Sequence, residues 1–369
     1  MTRERYWIMI EHSMNWVNLV MTKLHYQRQP LQANFEELLT VLHGKIPVKP
    51  VLFEFAMNDR LLGILSGEKD EDKSSRMAPF RRLIKAFYNA GYDYTTISAW
   101  RTNTLNFPKG NIAEKASRSL NSGHMISDRE SYDKYNWPDP ELGDYDLYHD
   151  LHSELPDGMK LIASGNGGVL ENVIDLVGFE DLSMMMMLDE DLTTDIFDAV
   201  GSRLLRFYKI VAPIETMGAC IVNDDWGFKN QTMFSPDMLR RWVFPWHKKI
   251  VSAIHDAGKP AILHSCGQLK DVMDDVITDL QYDAKHSFED QITPVEDAFD
   301  LWSDRIAILG GIDMDFLARS TPDEITQRSK LMLEKSLSLG AYALGSGNSI
   351  PDYIPDENYL AMISSVNLI

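Results

Sequence analysis

The chain has 369 residues, 44% hydrophobic and 25% charged, the balance of a globular protein with a large core. Its net charge of −19 argues against a nucleic-acid partner, because phosphate binding needs clustered Lys and Arg. No apolar run approaches the roughly 20 residues of a membrane span, and two cysteines, Cys220 and Cys266, cannot form a disulfide framework.

Residues 1–34 carry no turn chemistry tying them to the rest of the chain and read as an N-terminal helical extension or, with Met21-Thr22-Lys23 as a second start, as a start-site artefact. Charges at Arg3, Glu4, Arg5 and Glu11 interrupt any apolar leader, so a cytoplasmic protein is expected. From residue 35 onward, short apolar and β-branched runs alternate with helical stretches. The candidate strands are residues 51–55, 92–98, 160–164, 219–223, 261–265, 282–288, 306–310 and 342–345, mostly apolar as strands buried on both faces should be. Asp191 to Phe207 places Leu192, Ile196, Val200 and Leu204 four apart, giving one buried helical face. Ser235-Pro236 is an N-cap with Pro at the first helical position, Gly258 closes that segment, and Pro245 predicts a break inside it. Thr321-Pro322-Asp323-Glu324 starts another helix.

Eight alternations without a Gly-rich dinucleotide fingerprint predict an α/β protein, a single (β/α)8 TIM-type barrel over residues 35–369. An open α/β sheet is the alternative. Residues 102–157, between the second and third candidate strands, form a long polar insertion in which Trp137-Pro138-Asp139-Pro140 cannot be helical.

Barrel chemistry belongs at the C-terminal strand ends. These hold Glu54, Trp100, Arg101, Asp224-Asp225, His264-Ser265-Cys266, His286, Glu289, Asp313, Ser346 and Asn348. His264 and Cys266 are two apart on a strand and share a face, making an N/S half-site for zinc. A third ligand must come from another strand, with Glu54, Asp225 and His286 as candidates; a hydrogen-bonded His beside a small buried thiol is the bland alternative. Of the paired carboxylates, side-chain alternation lets one face the site, and Asp225 is preferred, its pKa open to elevation by its neighbour and by burial. The other caps a loop or helix. His286 is a second proton-transfer candidate, with Glu289 as partner. Gly165-Asn166-Gly167-Gly168 lacks the Lys-Ser/Thr of a P-loop and reads as a tight turn. Met184 to Met187 reads as core or adaptable lining.

Taken together, residues 218–227 (GACIVNDDWG), 235–245 (SPDMLRRWVFP), 258–267 (GKPAILHSCG) and 345–358 (GSGNSIPDYIPDEN) resemble the uroporphyrinogen decarboxylase superfamily, with 35–47 (FEELLTVLHGKIP) similar to its first helix. The resemblance covers about residues 35–362 and implies a (β/α)8 barrel. The superfamily's decarboxylases have an Arg-rich segment after the first strand. Here that region reads Phe53-Glu54-Phe55-Ala56-Met57-Asn58-Asp59-Arg60, and Gly345-Ser346-Gly347-Asn348 stands where those enzymes have a His. The corrinoid-dependent methyltransferase branch has a His-X-Cys pair that matches His264-Ser265-Cys266, although Ser346 lies where a further zinc-binding Cys is usual. The resemblance therefore implies a methyltransferase moving a methyl group between a small methylated substrate, a methyl ether by preference, and a corrinoid-binding partner protein. In that reading His264 and Cys266 hold zinc, and Asp225 or His286 protonates the leaving oxygen. Glu54, Trp100, Trp226 and Asn348 bind substrate, the two tryptophans as an apolar wall. A decarboxylase acting on a carboxylated substrate is the alternative.

Overall fold

The computed structural model describes residues 32–68, 75–109, 120–121 and 124–369; the extension expected over 1–34 falls, except for residues 32–34, outside them. Among the described residues, seven strands alternate with helices: β1 (Tyr94–Ser98), β2 (Lys160–Ser164), β3 (Met217–Asn223), β4 (Ala261–His264), β5 (Ala284–His286), β6 (Ala307–Leu309) and β7 (Tyr342–Ala343). Their order in the sheet is their order in the chain, and the pairs β2–β3, β3–β4 and β6–β7 run parallel. The fold is therefore α/β. The helices of eight or more residues are α1 (Phe35–Leu42), α2 (Asp59–Ser66), α3 (Ala78–Asn89), α4 (Val169–Val177), α5 (Phe179–Leu188), α6 (Glu190–Val211), α7 (Phe244–Asp256), α8 (Val295–Trp302), α9 (Pro322–Leu339) and α10 (Asp356–Ser364). None is long and apolar enough to cross a membrane.

The chain divides into two compact units. One comprises Ile97–Asp150 and Leu161–Lys285. Here β3 pairs with both neighbours, Ile162 opposite Ala219 and Asn223 opposite His264, with one irregularity between Leu161 and Ile162. All four residues of β4 are buried, as a strand covered on both faces requires. On α6, Leu192, Ile196, Val200 and Leu204 are buried along one stripe, and the Asp189 carboxylate caps the start by accepting from Leu192 N–H at 3.0 Å. Ser235 caps the segment leading to α7, its Oγ accepting from Met238 N–H. The break expected at Pro245 takes the form of a π turn over Leu239–Val243, which accommodates the N–H that Pro245 lacks. On α5, Met185 and Met186 are buried while Met184 and Met187 face solvent.

The other unit comprises the described residues up to Thr96 together with Leu151–Lys160 and His286–Ile369. The strand expected at 51–55 is not a regular strand. It is extended and runs parallel to the β7 exit through single bridges, Leu52 to Leu344 and Met57 to Ile350. Side chains hold the backbone groups in between. Glu54 N–H donates to Tyr94 Oη at 2.6 Å, Tyr94 O–H donates to Glu54 C=O at 2.9 Å, and Thr96 O–H donates to Phe55 C=O at 2.8 Å. Thr321 and Glu324 close a reciprocal capping box at the start of α9. Further along α9, Arg328 clasps Asp290 and Glu296 through paired hydrogen bonds of 2.7–2.8 Å.

Candidate active site

In the first unit, three ligand-type side chains converge where β3 and β4 end. Asp225, His264 and Cys266 each bring one donor atom within 4.8 Å of the others, and Cys266 Sγ lies 3.9 Å from His264 Nε2. The backbone fixes this arrangement: Cys266 N–H donates to Asp225 Oδ1 at 2.8 Å, and Trp226 N–H donates to Ser265 Oγ at 3.2 Å. The close approach requires Gly267, at φ +83°, because a Cβ there would meet the Gly227 carbonyl oxygen at 2.1 Å. Burial pushes the Asp225 carboxyl up, the Cys266 amide and thiol pull it down, Asp224 raises it and Lys285 lowers it. Lys285 is itself buried, its ammonium 3.3 Å from the Ser265 carbonyl.

One oxygen, one nitrogen and one sulfur donor make a set that zinc accepts, and three protein ligands with an open fourth position is the stoichiometry of catalytic zinc. Bonds of about 2.0–2.3 Å put tetrahedral ligand atoms roughly 3.3–3.8 Å apart, so the three side chains need to close only slightly. The residues fit the metal.

Asp224 does different work from its neighbour. It is fully buried, and its oxygens accept from Leu170 N–H at 2.9 Å and Glu171 N–H at 2.8 Å, capping α4. His247 Nε2 lies 2.8 Å from Asp224 Oδ2, and His247 Nδ1 lies 2.7 Å from the Tyr282 hydroxyl. The carboxylate accepts, so Nε2 carries a proton, and the ring orientation is set from both sides. The loop at 165–168 is tied to the same place: a Cβ on Gly168 would fall 2.1 Å from Asp224 Cβ. Gly168 N–H donates to Glu171 Oε2 at 3.0 Å, so the loop is a tight turn closing on a carboxylate. Glu171 has its pKa pushed up to about 8, first by burial and then by the negative charges of Asp224 and Asp225.

The second unit holds another cluster at strand ends. Glu54 is 0% exposed, and burial raises its pKa to about 8 against the opposing hydrogen bonds from Ser346 and Phe55. Ser346 O–H lies 2.8 Å from Glu54 Oε1. His286 is also buried and donates from Nε2 to the Ser346 carbonyl at 3.1 Å, with its ring edge-on to Phe53 at 5.2 Å. Asn348 lines an open cleft of about 530 Å³ with Glu289, Asp313, Arg319 and Tyr353.

A family model described as "Uroporphyrinogen decarboxylase (URO-D)" matches residues 122–368. The chain belongs to the uroporphyrinogen decarboxylase (URO-D) family. Among solved structures, a methyltransferase from Methanosarcina mazei superposes with a TM-score of 0.71 at 16% identity, covering 90% of this chain and 97% of that one. This URO-D member thus shares that protein's fold. A β-mannanase from the blue mussel Mytilus edulis gives a TM-score of 0.44 at 9% identity, covering 88% and 93%. An intracellular xylanase from Thermoanaerobacterium saccharolyticum gives 0.42 at 10%, covering 91% and 99%. No curated protein matches the chain.

Of the residues expected from sequence, Asp225, His264 and Cys266 come together in one unit, and Glu54, His286 and Asn348 lie at strand ends in the other. Trp100 is 64% exposed on a short helix after β1. Trp226 is fully buried, packed against Phe244 at 5.0 Å and His247 at 4.8 Å, with its indole N–H lacking a partner. Sequence reasoning passed over Glu171, His247 and Lys285. For Glu171 a signal was there, since an acid three residues into a helix after a glycine turn is capping-box spacing.

Proposed function

We propose that this protein is a methyltransferase that moves a methyl group between a small methylated compound, a methyl ether by preference, and a corrinoid carried by a separate protein. Its scaffold in this reading is a cytoplasmic closed (β/α)8 barrel spanning residues 35–369, with 51–57 serving as a reduced first strand. The observation that carries the reading is the convergence of Asp225, His264 and Cys266 into a three-donor set. When bound there, zinc supplies a Lewis acid that lowers the cost of negative charge on the leaving oxygen.

The chain's own residues do the rest. His264 and Cys266 are held two apart by β4 and its exit, and the Cys266 amide orients Asp225. Transfer breaks the methyl carbon–oxygen bond with the electron pair going to oxygen, which must then gain a proton. Glu171, protonated at neutral pH, belongs to the turn that Asp224 braces and is the group to give it. Lys285, buried beside Ser265 and attracted to Asp225, favours an anionic leaving group.

The family description keeps decarboxylation as the second reading. Against it, Arg60, the arginine of the 53–60 segment, is occupied by Asp356 at 2.7 Å and by the carbonyls of Asp352 and Ile354. A guanidinium so engaged does not hold a substrate carboxylate. Metal analysis tests the reading: about one zinc per chain is expected, together with methyl transfer from a methyl phenyl ether to cob(I)alamin. Metal-free protein that decarboxylates uroporphyrinogen would decide for the alternative.

A further inference from the structure

At the turn leaving β7 three oxygens touch in succession. The Ser346 hydroxyl lies 2.8 Å from Glu54 Oε1 and is also in close hydrogen-bond contact with the Asn348 carbonyl. A serine hydroxyl has one hydrogen to give, and the Asn348 carbonyl can only accept. With Glu54 ionised, both neighbours are acceptors, and one pair of oxygens faces each other with no proton between them. A protonated Glu54 removes the conflict: its acid O–H donates to Ser346 Oγ, and the Ser346 O–H donates to Asn348.

The surroundings point the same way. Glu54 is fully buried, and its other contacts are the N–H groups of Phe55 at 3.2 Å and Ser346 at 3.4 Å. The titratable groups facing it are neutral phenols and one imidazole. Tyr94 on β1 bridges the Glu54 backbone, Tyr92 stands behind it against Tyr359, and His286 on β5 reaches the Ser346 carbonyl rather than the carboxyl. The turn is closely packed. A Cβ on Gly345 would meet the Phe53 carbonyl oxygen at 1.6 Å, and one on Gly310 would meet the Ser346 carbonyl oxygen at 2.2 Å. A charge appearing at Glu54 therefore sets two oxygens against each other in a turn with little room to relax.

We propose that Glu54 is kept as a neutral carboxylic acid and acts as a positioning residue, fixing through Ser346 the turn that presents Asn348 to the cleft. Taking the cleft as a surface that contacts substrate rests on the methyltransfer reading, and in that setting Glu54 governs substrate affinity rather than the transfer step. The raised pKa of about 8 places the loss of this arrangement just above neutrality.

Glu54→Gln tests it, because glutamine is neutral, nearly isosteric, and keeps an N–H to give Ser346. In difference infrared spectra at pH 7, wild type minus Glu54→Gln should show the carbonyl band of a protonated carboxylic acid. Hydrogen exchange in the peptide covering 345–349, corrected for the chemical rate, should rise in wild type above about pH 8 and stay flat in Glu54→Gln. With a methyl phenyl ether and cob(I)alamin, the wild-type KM should rise roughly tenfold from pH 7 to 9, a tenfold change being about 1.4 kcal/mol. Glu54→Gln should show no such rise of KM between pH 7 and 9, and Ser346→Ala should raise KM at every pH. Absence of the infrared band, or Glu54→Gln losing kcat at normal KM, overturns the proposal. A pH-dependent KM that survives in Glu54→Gln also overturns it and points to His286. Wild type that transfers no methyl group yet shows the band and the exchange response leaves Glu54 as argued and rejects the methyltransfer reading instead.

Discussion

Glu54 and Glu171 reach the same elevated pKa, about 8, by different routes. Around Glu54 the cause is burial alone, opposed by hydrogen bonds and with no charged neighbour contributing. Around Glu171 burial is joined by the repulsion of Asp224 and Asp225. The distinction is functional. Glu171 answers to the charge of two aspartates in its own unit, and Glu54 to burial alone.

The largest effect is expected at the ligands. His264→Ala or Cys266→Ala should take zinc from about one per chain to near zero and cut methyl transfer on the order of 100-fold or more, read by elemental analysis and turnover. Next comes the brace beneath the centre. His247→Ala removes a partner of the buried Asp224 and should cost about 3–5 kcal/mol in denaturant unfolding. Were stability unchanged, the view of Asp224 as a strut would fail.

Glu54→Gln should act in the opposite direction. The unfolded carboxyl titrates near its ordinary value of 4.5 and the folded one near 8, so wild-type stability is fully present below pH 4.5, falls as pH rises, and levels off above 8. At about 1.4 kcal/mol per pKa unit, the variant should be more stable than wild type by a few kcal/mol at pH 8, and by little at pH 4. Tyr282→Phe should be mildest, about 1 kcal/mol for one hydrogen bond.

Much of the frame could be read from residues whose effect is local. Ser235-Pro236, the Thr321/Glu324 box and the stripe on α6 depend on neighbours within four positions and were all legible. The segment 51–55 has the composition of a strand yet forms only bridges, because Tyr94 and Thr96 take its backbone groups. That competition joins residues 40 positions apart, and no local pattern announces it. The His264/Cys266 spacing was visible because two residues on one strand share a face. His247 was not, since its partners Asp224 and Tyr282 lie 23 and 35 positions away.

The π turn at Leu239–Val243 gives that last residue its bearing. It amounts to one extra residue in a helix, and one residue turns everything downstream by about 100°. With it, His247 points inward to Asp224 while Trp246 lies outside, its indole N–H on Asp198. Removing a single residue from 239–243 would regularise the helix and yet rotate the imidazole off its carboxylate. At this position sequence length is itself a functional variable: a gap would do what no conservative substitution does.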